Sequence, residues 1–247
     1  EYGRGKNSVP AEVDGELFLE ALKKLVLLEK EWVPRSPGTS LYIRPTMIAT
    51  EKALGVHPSS EYLFYIILCP VGAYYPQGFS PTKIYVSEEY VRSVRGGIGS
   101  CKAAGNYAAS LFASQKAQAM GYTQVLWLDA VEMKNVEEVG TSNIFFQIGD
   151  TLITPNLTGT ILPGVTRDSV ITLAKRWGIP VEERPLSIDE ILEANEKGRL
   201  KDAFASGTAA IVSPVGHLHY KGKEYLINGG QTGDLTRRLY EEILQIQ

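Results

Sequence analysis

The chain of 247 residues is 44% hydrophobic and 21% charged, with 25 Lys and Arg against 28 Asp and Glu and a formal charge of −3. That length gives one or two domains with a real core, and it excludes a disordered, collagen-like or coiled-coil chain. The slight acidity offers no basic face for a nucleic-acid backbone, and the 3 histidines and 2 unlinked cysteines leave no metal or disulfide framework to expect. No run is apolar enough to predict a membrane span, and cysteines without a CxxC spacing fit a reducing, cytoplasmic setting.

In chain order, residues 14–31 read as an amphipathic helix with Asp14 as N-cap, ended by Pro34 and the run to Gly38. Leu41 to Ala49 and Tyr62 to Cys69 read as strands, the second so continuously apolar that burial on both faces is expected. The Gly, Pro and Tyr cluster from Pro70 to Pro81 marks a boundary, giving a first domain over 1–76, a linker over 77–81 and a second domain over 82–247. Beyond it come a strand at Lys83 to Val86, a glycine-dense loop from Ser93 to Gly105 and a small-residue helix from Ala103 to Met120 closed by Gly121. Strands follow at Gln124 to Leu128, Asn143 to Ile148 and Thr151 to Thr154, the last two joined by Gly149-Asp150. Thr166 to Trp177 reads as a helix, Ser187-x-x-Glu190 as a capping box, and Phe204 to Val215 as one strand broken at Ser206-Gly207-Thr208. A hairpin about Lys221-Gly222-Lys223 carries His217 and His219, and Leu235 to Ile246 closes the chain as a helix. Strands and helices without a regular βαβ rhythm give an α+β, mixed-sheet fold.

Lys102 lies among glycines and alanines that let a backbone approach a bound group closely. It is a solvated loop lysine or, in a small and partly desolvated pocket, a Schiff-base nucleophile. Cys101 and Ala103 flank it where a Walker loop needs Gly and Ser or Thr, and Lys102 occupies the third glycine of a dinucleotide fingerprint, so neither nucleotide motif fits. Gly164, Val165 and Thr166 open a helix whose amides could face an anion, or else Thr166 merely caps it. The run Glu137-Glu138 to Asn143 places a carboxylate at a strand–loop junction, and Ser206 to Ala209 supplies further N–H and hydroxyl donors.

Taken in order, LYIRP (41–45), CPVGAYYPQG (69–78), GSCKAAGNYAASL (99–111), EEVGTSNIFF (137–146), ILPGVTRDS (161–169) and FASGTAAIVSPV (204–215) resemble the fold-type IV pyridoxal-phosphate transaminases, the branched-chain amino-acid aminotransferases in particular. The resemblance implies a two-domain enzyme with a small α/β domain, incomplete here, and a larger pseudo-barrel domain that holds pyridoxal 5′-phosphate. By it, Lys102 would link to the cofactor and shuttle the Cα proton, Tyr107 would bond the 3′-oxygen, Glu138 would pair with the pyridine nitrogen and Leu162 would support the ring. Val165 and Thr166, with Thr208, would hold the phosphate. Tyr42, Tyr74 and Thr141 would surround the substrate side chain, with the Thr208 and Ala209 amides and Arg44 at the carboxylate end.

The implied reaction moves the amino group of L-leucine, L-isoleucine or L-valine to 2-oxoglutarate by a ping-pong course, in a homodimer. Members of the family are normally longer, and residues 1–9 match none of its segments, so a truncated scaffold is one rival expectation. D-amino-acid transamination and the lyase reaction on aminodeoxychorismate are others on the same machinery. Ala210 and Ser213 stand where some members carry a redox CxxC. The organelle, cytoplasm or mitochondrion, depends on sequence ahead of Glu1.

Overall fold

The computed structural model describes residues 13–36, 38–72 and 78–247. The chain divides after Gly78 into two compact units. In the first, helix α1 (Gly15–Leu28) starts at Asp14, whose carboxylate accepts the Leu17 amide at 2.8 Å, satisfying a donor that the helix end leaves open. Strands β1 (Ser40–Ala49) and β2 (Tyr62–Val71) form an antiparallel pair in which Tyr42 faces Cys69 and Arg44 faces Ile67. The expected two-sided burial of β2 is not found, because its residues alternate between half-buried and exposed. Phe64 meets Phe18 of α1 edge-on on one face, whereas Leu63, Tyr65 and Ile67 stay exposed on the other. Among the described residues of this unit, α1 is the α-helix beside a two-stranded sheet, so the sheet's second face is exposed there however apolar the sequence.

The second unit is built on a nine-stranded mixed sheet in the order β5-β4-β3-β10-β9-β6-β7-β8, with β11 paired to β10. The strands are β3 (Thr82–Val86), β4 (Gln124–Leu128), β5 (Val136–Val139), β6 (Asn143–Ile148), β7 (Thr151–Thr154), β8 (Val181–Glu183), β9 (Leu200–Gly207), β10 (Ile211–Tyr220) and β11 (Lys223–Leu226). Helices α2 (Ala104–Ala119), α3 (Val165–Arg176), α4 (Ile188–Glu196) and α5 (Asp234–Ile246) accompany it. Strands β3 and β4 are parallel and joined through α2, a βαβ unit that puts the glycine-dense loop after β3.

Chain connectivity forces the sheet to curl. Strands β5 and β6 stand five places apart in sheet order, about 24 Å if flat at roughly 4.8 Å per strand. Only Gly140, Thr141 and Ser142 join them, and a link from Val139 to Asn143 reaches about 14 Å at most. The sheet therefore bends round on itself, and a bridge between Val139 and Ser142 closes the turn. Gly140 adopts φ +56°, and a side chain there would run into the Gln124 carboxamide, so this sharp link needs glycine.

Side chains alternate across the curled sheet. Ile84, Leu126, Ile144, Phe146 and Ala203 enter an inner core closed by α4, while Phe145 and Phe204 stack at 5.1 Å in an outer core under α3 and α5. Val125 and Trp127 bury against Ala113 and Ala117 of α2. Both sheet faces are thus covered, which is why these strands are buried without interruption.

Three local readings are corrected. Phe204 to Val215 is not one strand, because β9 and β10 fold back antiparallel around 208–210, with Ile211 at φ +57°. The capping box is half formed: Ser187 accepts the Glu190 amide at 3.1 Å, but the Glu190 carboxylate is drawn off by a bidentate pair with Arg184 at 3.0 and 2.6 Å. Strands β5 and β8 escape the sequence reading because they are short and carry Val181-Glu-Glu183 and Val136-Glu-Glu-Val139, which look polar.

Candidate active site

Four connections of the second unit come together: the loop from β3 to α2, the turn from β5 to β6, the segment from β7 to α3 and the β9–β10 turn. In the first, the Asn106 carboxamide donates to the Ile98 and Cys101 carbonyls, both at 2.8 Å, which pins the loop just ahead of Lys102. Lys102 Nζ donates to Tyr107 Oη at 2.8 Å, one turn into α2. Of the two alternatives its surroundings left open, Lys102 takes the solvated one: it is exposed.

Glu138 on β5 is the buried centre of the site. Its Oε1 accepts the Asn143 carboxamide at 3.1 Å and the Leu162 amide at 3.2 Å, and Asn143 also donates to the Leu162 carbonyl at 2.8 Å. Arg92 Nε stands 2.7 Å from Oε2 as an ion pair, yet no N–H is aimed at that oxygen, which remains a buried acceptor without a hydrogen-bond donor. Burial pushes the carboxyl up to about 8, against the pull of the Arg92 guanidinium, the Leu162 amide and the Lys102 charge.

A small cleft beside it is lined by Arg92, Cys101, Tyr107, Gly140, Thr141 and Leu162. A larger, open groove bounded by Gln147, Lys201, Asn228 and Arg238 contains none of these groups. The N-cap of helix α3 is Gly164, which supplies no side-chain cap, and Thr166 lies inside the first turn and does not cap it. The amides of Val165 and Thr166 therefore point out of a helix N-terminus, a setting that suits an anion. Gly164 packs so closely on Asn143 that a Cβ would come within 2.3 Å of its Oδ1, tying that helix end to the Glu138 network. Gly207 sits close to Ser142, so the exposed Thr208-Ala209 turn adjoins Thr141.

The structure thus gathers Lys102, Tyr107, Glu138, Thr141, Leu162, Val165, Thr166, Thr208 and Ala209 on connected loops of one unit. Tyr42 and Arg44 lie in the first unit, where Arg44 donates to Tyr42 Oη at 3.3 Å. Tyr74 lies outside the described residues. Sequence reasoning missed Arg92, Asn143 and Thr160 as parts of this network, because nothing in their spacing separates them from ordinary loop residues.

The amino-transferase class IV family model matches residues 7–218. The chain belongs to that family. Branched-chain-amino-acid transaminase 1 of Bacillus subtilis (strain 168) is 57% identical over 236 residues, covering 95% of this chain and 66% of its own length. The chain therefore spans just under two thirds of that relative. Among solved structures, the branched-chain amino acid aminotransferase of Escherichia coli superposes with a TM-score of 0.78 at 27% identity, over 97% of this chain and 73% of that one. The T.th. branched-chain amino acid aminotransferase complexed with N-(5′-phosphopyridoxyl)-L-glutamate gives 0.77 at 28% identity, over 96% and 71%. The class IV aminotransferase fold, with its curled mixed sheet, is thus shared across most of this chain.

Proposed function

We propose that the protein to which this chain belongs is a pyridoxal-phosphate-dependent aminotransferase that moves the amino group of branched-chain L-amino acids to 2-oxoglutarate. The observation that carries this reading is the exposed Lys102 amine on Tyr107 Oη at 2.8 Å, on the same loops as a buried carboxylate with one undonated oxygen. These residues fit the cofactor: Lys102 at its aldehyde, Tyr107 at the ring hydroxyl, Glu138 Oε2 at the ring nitrogen, and the uncapped start of α3 with Thr208 at the phosphate. When bound, pyridoxal phosphate supplies a carbonyl for amines and a ring that draws electron density from the substrate Cα.

The chain's own groups do the rest. Lys102 Nζ takes and returns the Cα proton, and Tyr107 orients the amine through their hydrogen bond. Glu138 would give its proton to the ring nitrogen and, then ionised, would accept from it, which keeps positive charge where electrons must go. Leu162 presents an apolar side to the ring, while the Thr208 and Ala209 amides serve the substrate carboxylate. Thr141, with Tyr42, Tyr74 and Arg44 from the first unit's sequence, is assigned to substrate by resemblance, as are a homodimeric assembly and the small domain over 1–76. The relatives' names and the bound phosphopyridoxyl-glutamate of one neighbour support both substrates. Both cysteines are unpaired among the described residues, which suits a reducing, cytoplasmic setting. No helix among those residues is long and apolar enough to cross a membrane.

Replacing Lys102 by Ala is expected to abolish the near-visible band of bound pyridoxal phosphate and to slow leucine–2-oxoglutarate exchange by about 10²–10⁴-fold. An intact band and rate would overturn the reading. Equal or faster turnover of D-alanine, or release of 4-aminobenzoate, would move the protein to a neighbouring reaction of the same family.

A further inference from the structure

We infer that Arg92 is the positioning residue that favours the carboxylate form of Glu138 and aims it at the cofactor ring, and that the Lys102 loop itself holds Arg92 in place. The inference rests on the aminotransferase reading and adds to it a group outside the catalytic set.

The guanidinium is over-determined. Its Nε lies 2.7 Å from Glu138 Oε2, with side chains only 10% and 2% exposed. Nη1 donates to the Thr160 carbonyl at 2.8 Å and Nη2 to the Gly99 carbonyl at 3.3 Å, so its hydrogen-bond contacts are neutral and Glu138 is its ion-pair partner, while its charge also reaches the buried Glu137. Ser93 Oγ donates to the same Thr160 carbonyl at 2.8 Å. A Cβ on Gly99 would sit 2.4 Å from that carbonyl and 2.5 Å from Ser93 Oγ, so only glycine lets the loops close round the guanidinium. The other acid nearby, Glu137, is occupied by the Thr160 hydroxyl at 2.5 Å. Thr160 therefore engages Glu137 with its side chain and the arginine with its backbone.

Three charged groups act on Glu138: Arg92 in contact, Lys102 at longer range, and Glu137 in opposition. Burial already favours the protonated acid. Arg92 opposes that burial, and without it the carboxyl would hold its proton more tightly still; a protonated acid donates where a pyridinium nitrogen needs an acceptor. A lysine at 92 would restore charge but not the planar fork that spans two carbonyls and a carboxylate.

The test is a double-mutant cycle on the dissociation constant of pyridoxal phosphate for this chain. Arg92→Gln is expected to weaken binding about tenfold or more when Glu138 is present, and about twofold or less in a Glu138→Gln background, because its effect runs through that carboxylate. Arg92→Lys should recover part of the loss and shift the pH midpoint of the bound cofactor's absorbance between those of wild type and Arg92→Gln. Equal losses in both backgrounds mean that Arg92 only braces the loop, and they overturn the inference while the aminotransferase reading stands. If Arg92→Gln does not fold, the same cycle with Arg92→Lys decides, with coupling of the same sign and smaller size expected. A wild-type chain without saturable binding overturns the inference, which needs these residues to hold the cofactor, while the aminotransferase reading is decided separately by the exchange assay.

Discussion

Glu137 and Glu138 are neighbours on β5 and point to opposite faces, as strand geometry requires, so only one of them can serve the site. Both are buried and both carboxyls are raised chiefly by desolvation, Glu138 up to about 8. The native chain without cofactor thus holds the Glu138 proton to about pH 8, whereas the unfolded chain releases it near 4.5. More protons are bound in the native state across that window, so stability must fall as pH rises through it. Urea midpoints of the cofactor-free chain between pH 5 and pH 8 are expected to fall more steeply for wild type than for Glu138→Gln. Parallel curves would show that Glu138 does not titrate in this range. The sequence made Lys102, Tyr107 and Glu138 legible through a resemblance, since a lysine between glycines and a pair of acids have ordinary explanations on their own. Arg92 and Thr160 were not legible, because their roles rest on backbone carbonyls that come together only when the loops after β3 and β7 close.

Among the elements, strands with strict alternation or aliphatic runs were read to within a residue or two, as with β4, β6 and β7. The errors have physical causes: β2 is apolar but lacks a second covering layer among the described residues of its unit, and the SGTA segment turns where its composition still reads as strand. Helix α5 shows what local sequence cannot reveal. Its N-cap Gly233 offers no side chain, and the cap comes from β9 instead. Asp202 accepts the Thr236 amide at 2.9 Å and the Thr236 hydroxyl at 2.7 Å, with Asp202 and Thr236 both buried. Gly233 must be glycine, since a Cβ there would lie 2.1 Å from the Asp202 carboxylate. Asp202→Ala strands two buried donors and should cost about 2–3 kcal/mol in urea unfolding, while Asp202→Asn, which keeps one acceptor, should cost less. A loss within about 0.5 kcal/mol for the alanine variant would mean that Leu235, Leu239 and Ile243 dock α5 by packing alone.

At the scale of the whole molecule, the division after Gly78 separates the residues proposed for the cofactor from part of those proposed for substrate. Lys102, Tyr107, Glu138 and the start of α3 all lie in the second unit, so cofactor binding should stabilise that unit and leave the first unchanged. Native-specific binding adds RT ln(1 + [L]/Kd), about 2.7 kcal/mol at a hundredfold excess over Kd. The tryptophans make the two halves separable: Trp32 is exposed in the first unit, while Trp127 is fully buried under α2 and Trp177 packs beside α3 in the second. In Trp32→Phe, fluorescence reports the second unit alone, and its unfolding midpoint is expected to rise with pyridoxal phosphate. In Trp127→Phe/Trp177→Phe, where Trp32 remains, the midpoint should stay put, because two units joined by a chain segment need not unfold as one. A common shift of both signals would mean that the units unfold as a single cooperative body and that the first unit shares the cofactor's binding energy.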